Sequence, residues 1–382
     1  MPVVTAPLSG VQYSGIWTMQ QVDAAIAAGT WPGNKLFSWA SNSSGQLGLG
    51  NITSYSSPKQ VGSLTTWSTI SAGGSAGSAI KTDGTLWAWG LNNYGQLGLG
   101  NRTSYSSPKQ VGALTNWSYI GLNSGAAAAL KTDGTLWAWG RNGFATLGLG
   151  NLTNYSSPKQ VGALTDWSSI SVGSLFVLAK KSNGTIWSWG YNAQGQLGNG
   201  NATDTSSPVQ IGALTDWANV FAGAGLSCAT KTNGTLWTWG QNSYGQLGLG
   251  NTTWYSSPKQ VGALTNWLTA AAGYNWMVAA KSDGTLWSWG RAENGQLGLG
   301  NTTQYSSPKQ IGVLTTWLII RAGQYNCAAI RTDGTLWTWG QNNTGQLGQG
   351  DTSNRSSPTQ VGTAAGWLSV ATGDQTLAIR SV

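Results

Sequence analysis

The chain of 382 residues contains no histidine, which removes the commonest general base, the Ser-His-Asp arrangement and nearly all transition-metal sites. Cysteine is almost as scarce: Cys228 and Cys327 make neither a disulfide framework nor a zinc site. Charged residues are 8% of the chain, against roughly 25% in an average soluble protein. No apolar run approaches the roughly 18 residues of a membrane-spanning helix, so no membrane insertion is expected. Met1-Pro2-Val3-Val4-Thr5-Ala6-Pro7 lacks both a basic n-region and an apolar h-region, so no cleaved signal peptide is expected. The formal charge of +8 is spread along the chain, unlike the clustered patch of a nucleic-acid surface. No nucleic-acid partner, catalytic residue, metal site or cofactor is expected.

What abounds is glycine and tryptophan, 56 and 24 residues, and both are periodic. Leu86-Trp87-Ala88-Trp89-Gly90, followed by Gly95-Gln96-Leu97-Gly98-Leu99-Gly100-Asn101, returns at 50-residue steps from Leu136, Ile186, Leu236, Leu286 and Leu336. A variant begins at Leu36, with Phe37 for the first Trp and Ala40 for Gly. A second marker keeps the same step from Trp67 to Trp367, so each marker occurs seven times with no insertion between copies.

Period-two patterning predicts short antiparallel strands at about 67–72, 78–82 and 85–90, with a fourth near Gln60-Val61. Asp83-Gly84 and its counterparts predict type I′ hairpins between the second and third strands. The GQLGLGN tract and segments such as Ser56-Ser57-Pro58 are expected as loop. Residues 36–382 fall three short of seven whole repeats. The chain stops within a second strand and its repeats start at a third, so Gly33-Asn34-Lys35 stand in the register of the missing hairpin turn. Pairing of the two ends would complete a seventh blade and remove every sheet edge. The prediction is an all-β seven-bladed propeller over residues 36–382, with residues 1–35 as an N-terminal extension.

The tract W-G-x-N-x-x-G-Q-L-G-x-G, with its later S-P and D-G-T, resembles the RCC1 repeat family, named for the regulator of chromosome condensation. The resemblance covers residues 36–382 and implies four-stranded blades in a seven-bladed ring. The family usually places a His after the Gly of the first turn, and this chain has none.

Asp-Gly turns scarcely vary, whereas turns one-two and three-four, at the opposite end of every blade, vary freely. The one-two turns supply Leu175 and Phe176, then Tyr274, Asn275 and Trp276, then Gln324, Tyr325 and Asn326, then Asp374 and Gln375. The three-four turns supply Tyr94, Phe144 and Glu293. Such variation fits either drift in loops that tolerate any residue or a partner-binding face; Tyr, Trp and Asn are types that binding surfaces favour, and on the second reading these residues are the partner-binding set. The repeated Lys81, Lys131, Lys181, Lys231, Lys281 and Arg331 read as a solvated ring.

In the extension, Thr18-Met19-Gln20-Gln21 reads as a capping box, and Met19, Val22 and Ile26 fall on one face of a short helix ending at Gly29. Tyr13-Ser14-Gly15-Ile16-Trp17-Thr18 and Gly29-Thr30-Trp31-Pro32 resemble the leader of structural proteins in marine tailed bacteriophages. That resemblance implies a non-enzymatic virion component, assembled in the host cytoplasm. The leader, through Trp17, Met19, Val22, Ile26 and Trp31, would attach to capsid or tail proteins, and the propeller would display a face to host glycan or protein. The alternative is a soluble protein-binding propeller of inhibitor or adaptor type. Guanine nucleotide exchange, the founding activity of the family, ranks behind both, because the repeats lack an insertion and acids on the variable face are few.

Overall fold

In the computed structural model, which describes residues 33–381, every repeat folds into a four-stranded antiparallel sheet. Blade 1 consists of Trp67–Gly73, Ala76–Lys81, Leu86–Gly90 and Tyr105–Gln110. Five further blades follow in chain order, and the first strands of successive blades touch in a closed cycle around the axis. Blade 7 joins the two ends of the chain: Trp367–Thr372 and Gln375–Ser381 are completed by Asn34–Ala40 and Tyr55–Gln60. The pairing runs unbroken from Asn34–Ser381 to Ala40–Gln375. The molecule is a seven-bladed β-propeller, and the described residues contain no helix. The short helix expected near residues 18–28 lies outside the described residues.

Four local expectations need correction. Leu36 faces Ile379 as Leu86 faces Ile80, so the last strand runs one residue ahead of the 50-residue step. The cause is a shortened turn: Gly373 N–H bonds the Gln375 carbonyl, whereas in blade 6 Gly323 N–H bonds that of Asn326. Asn34 and Lys35 are consequently strand residues rather than turn residues.

The Asp-Gly hairpins are not type I′. Gly84 has φ +77, but Asp83 keeps negative φ. Gly84 N–H bonds the Lys81 carbonyl, and Lys81 N–H bonds that of Thr85. This is a type I turn closed by a glycine bulge. The fourth strand, Tyr55–Gln60, absorbs Ser56-Ser57-Pro58, which lie opposite the ladder irregularity between Ser38 and Ala40. Pro58 has no N–H to donate, and the outer edge is where a sheet tolerates it.

Last, the Lys ring is not solvated. Lys131, Lys181, Lys231 and Lys281 are buried. Lys131 Nζ sits 3.8 Å from the Trp137 ring centre and 5.0 Å from that of Trp117. Arg380 caps Phe37 and Trp367 in the same manner. Each cation seals an edge-to-face trio such as Trp67, Trp87 and Trp89.

The core lies between blades. Leu36, Leu377 and Ile379 of blade 7 pack with Trp67, Ala79 and Trp89 of blade 1. The Trp89 indole N–H donates to the Gln46 carbonyl of the preceding blade at 2.8 Å, and all seven blades repeat that bond at no more than 3.0 Å. Gly98 admits the indole: its φ is +73, and a Cβ there would lie 2.8 Å from Trp139 Nε1. Buried Asn92 ties the loop together, donating to the carbonyls of Asn101 and Thr103 and accepting from Leu97 N–H.

Candidate functional site

Strand direction gives the disc two unlike faces. First strands run toward the one-two turns, so these and the three-four loops form a loop face. The Asp-Gly hairpins and the links between blades form a hairpin face. At the centre of the loop face the ends of the seven first strands ring a cavity of about 200 Å³. Its rim is latched across blades by Ser174 N–Gly223 O at 3.2 Å, Tyr274 N–Gln324 O at 3.2 Å and Asp374 N–Gly74 O at 3.4 Å. Asn123 replaces one backbone latch with its side chain, which donates to the Gly173 carbonyl at 2.9 Å.

Five of the expected partner-binding residues are enclosed and so cannot meet a partner. Phe176, Trp276 and Gln375 are wholly buried, and Asn275 and Asn326 nearly so. Their positions explain this: Phe176, Trp276, Asn326 and Gln375 open the second strand rather than occupy the turn. Trp276 Nε1–H donates to the Gln324 carbonyl, Gln375 to that of Ala76, and Asn275 accepts from Gln246. They hold the turns that the other residues ride on.

Those others form two assemblies. In the first, spanning blades 1 to 3, the Arg141 guanidinium lies 5.1 Å from the Tyr94 ring centre and 5.5 Å from that of Phe144. Phe144 meets Tyr191 edge-on at 5.4 Å, and Leu175 is half-buried nearby, its carbonyl accepting from Tyr191 N–H. In the second, spanning blades 4 to 7, Arg291 lies 5.1 Å from Tyr244 and 5.6 Å from Tyr325. Tyr325 packs on exposed Tyr274 at 5.7 Å. Glu293 accepts from Arg291, and that hydrogen bond holds its carboxyl below the ordinary glutamate range. Gln324 donates to Asp374 at 3.3 Å, and Ser75 of blade 1 donates to the same carboxylate at 3.2 Å. Each guanidinium lies between aromatic rings on a rigid floor; that of Arg141 suits a planar, carboxylate-bearing or aromatic group, whereas that of Arg291 is already engaged by Glu293 and offers its face. Among the described residues no group of three His, Cys, Asp or Glu could hold a metal ion.

The regulator of chromosome condensation (RCC1) repeat matches the chain seven times, at residues 34–80, 83–124, 133–179, 183–230, 233–280, 283–330 and 333–379. The chain belongs to the RCC1 repeat family. Human WBSCR16 superposes on this RCC1 propeller with a TM-score of 0.82 at 21% identity, covering 91% of this chain and 98% of that one. Prp20p of Saccharomyces cerevisiae gives 0.82 at 20%, covering 92% of each chain. Yeast RCC1 (Prp20) in its complex with Kap60 gives 0.81 at 20%, covering 92% and 89%. Identities this low establish the fold alone. No curated protein matches by sequence. The matched residues begin at 34, so they lend nothing to the likeness of the leader to phage proteins.

Within the RCC1 propeller, sequence reading missed Arg141, Tyr191, Tyr244 and Arg291. Arg141, Tyr191 and Arg291 follow directly on the W-x-W-G strand, one position before the turn residues compared between repeats. That position also holds Leu91, Gln241 and Gln341, a variation visible in the sequence. Exposed Trp254, donating to Ser243, escaped for the same reason, since it lies beyond the repeated loop.

Proposed function

We propose that this RCC1 propeller is a non-enzymatic binding module whose loop face engages a protein or glycan surface. The observation that carries the reading is the pair of Arg–aromatic assemblies on one face of a ring whose turns are latched blade to blade. Rigid aromatic and Arg anchors dominate binding energetics, and a pre-ordered floor lowers the entropy cost of using them. Protein binding by a propeller of this shape has a precedent in Prp20p, described by its binding properties to Gsp1p and histones. The test pairs Arg291→Ala and Tyr325→Ala against immobilised surface glycans and surface-protein fractions, with Asp333→Asn on the hairpin face as control. Loss of about 2 kcal/mol, roughly 30-fold in affinity, is expected for the loop-face variant alone. Equal retention by both variants overturns the reading.

The setting we infer is a virion appendage fixed to capsid or tail proteins through residues 1–35. It rests on the sequence of the leader, whose residues Trp17, Met19, Val22, Ile26 and Trp31 lie outside the described residues. Co-purification of the chain with particles supports it, and particles complete without the chain contradict it.

A further inference from the structure

The two Arg–aromatic assemblies are copies of one arrangement, three repeats apart. Tyr94 and Arg141 stand in the register of Tyr244 and Arg291, and in each pair the ring centre lies 5.1 Å from the guanidinium carbon. Across the seven repeats Arg holds that position only in blades 2 and 5, and Tyr holds its position only in the blades that precede them. One residue sets the copies apart. Glu293, two residues after Arg291, is matched after Arg141 by Gly143.

In blade 5 the protein supplies this cradle with a carboxylate of its own. Arg291 Nη2–H donates to Glu293 Oε2 while the Tyr244 and Tyr325 rings stay packed beside the guanidinium, so the rings leave its N–H edge available. The other repeats have no acid at that position, which holds Ser43, Asn93, Ala193, Ser243 and Asn343. In blade 2 the Tyr94 and Phe144 rings lie 5.1 and 5.5 Å from Arg141, whose guanidinium forms no ion pair among the described residues. The loop-face carboxylate of blade 3, Asp204, is tied to Asn192 N–H at 2.7 Å. Arg141 is exposed, and a Cβ on Gly143 would meet nothing within 4 Å. The space that Glu293 takes in blade 5 is therefore open in blade 2. A guanidinium pairs best with a carboxylate, through two parallel N–H···O bonds that are stronger than neutral ones.

We propose that Arg141, flanked by Tyr94 and Phe144, takes an Asp or Glu side chain of a protein partner, as Arg291 takes Glu293. The occupant of the blade 5 copy is itself a glutamyl side chain, which favours an acidic protein segment over a carboxylated sugar. This site rests on the loop face being the binding surface, and it gives one side of that surface a preference for acid. Calorimetric titration of the full-length chain tests it with an alternating Gly-Glu peptide, its Gly-Gln counterpart and an oligogalacturonate. The wild type is expected to bind one Gly-Glu peptide. Arg141→Gln removes the charge and Gly143→Glu installs an internal carboxylate, so each weakens binding at least about tenfold. Glu293→Gln frees the second guanidinium and raises the stoichiometry to two. Unchanged melting temperatures check that the variants fold. Equal affinity of wild type and Arg141→Gln overturns the proposal. So does a wild type that ignores the Gly-Glu peptide, binds the Gly-Gln peptide equally or prefers the oligogalacturonate, and so does a stoichiometry of one in Glu293→Gln. If Arg141→Gln keeps its affinity while the Arg291 and Tyr325 variants still lose theirs for surface fractions, this site fails alone. The reverse pattern defeats the wider reading alone.

Discussion

Asn242 shows what one side chain does in this repeat. Its amide donates to the carbonyls of Asn251 and Thr253, and its oxygen accepts from Leu247 N–H, so a glycine-rich loop with little apolar content is held from its middle. Asn242→Ala leaves the buried Leu247 N–H unpaired and releases the two carbonyls to solvent, and a loss of about 1–3 kcal/mol is expected, read from the urea midpoint at constant m-value. The Asp residues of the hairpins give a pH dependence. The Thr85 hydroxyl and N–H both donate to Asp83, and the hydroxyl bond foremost holds that carboxyl below its ordinary value; Asp133, Asp283 and Asp333 repeat the arrangement. Their folded values are depressed, so this contribution is whole above the unfolded carboxylate value and is lost as pH falls below about 4. Asn183 and Asn233 make the same bonds without titrating. Replacing the four Asp by Asn is therefore expected to flatten the acid limb of a plot of melting temperature against pH, while leaving pH 7 stability nearly unchanged.

At the scale of the element, Gly98 shows how closely one blade meets the next. Its positive φ and the nearby Trp139 indole both oppose a methyl group, so Gly98→Ala is expected to cost about 2 kcal/mol and to weaken the Trp139–Gln96 bond between blades, measured by thermal melting and tryptophan fluorescence. How much of each element was legible in the sequence follows from where its signal lies. Strand positions came from period-two patterning, which is local and strong. The hairpin type was misread because Asp-Gly serves both a type I′ turn and a type I turn with a bulge. The choice rests on whether Lys81 pairs with Thr85, a fact of register rather than composition. Burial of Lys131 and its counterparts was hidden because a lysine's aliphatic stem and cation–π contact become useful only once two rings from different strands are brought beside it. In the site, Tyr94, Tyr274 and Gln324 were legible as exposed turn residues. Phe176 and Trp276 were not, because the second strand already begins at the last residue of the variable stretch.

The whole molecule depends on one strand pair. Closure was legible because the repeats begin with a third strand and end with a second, although the shortened turn at Asp374 shifted the register by one. Removing residues 375–382 exposes strand edges on both sides of the gap, so loss of the monomer peak in size exclusion and the appearance of aggregates are expected. The closed ring also holds the two Arg–aromatic assemblies in fixed positions across the loop face. Hydrogen exchange of the propeller with and without a captured partner tests that assignment most directly. Slowed exchange confined to the loops around Tyr94, Arg141, Phe144, Tyr244, Arg291 and Tyr325 is the expected result. Protection confined to the Asp-Gly hairpins and inter-blade links would contradict it.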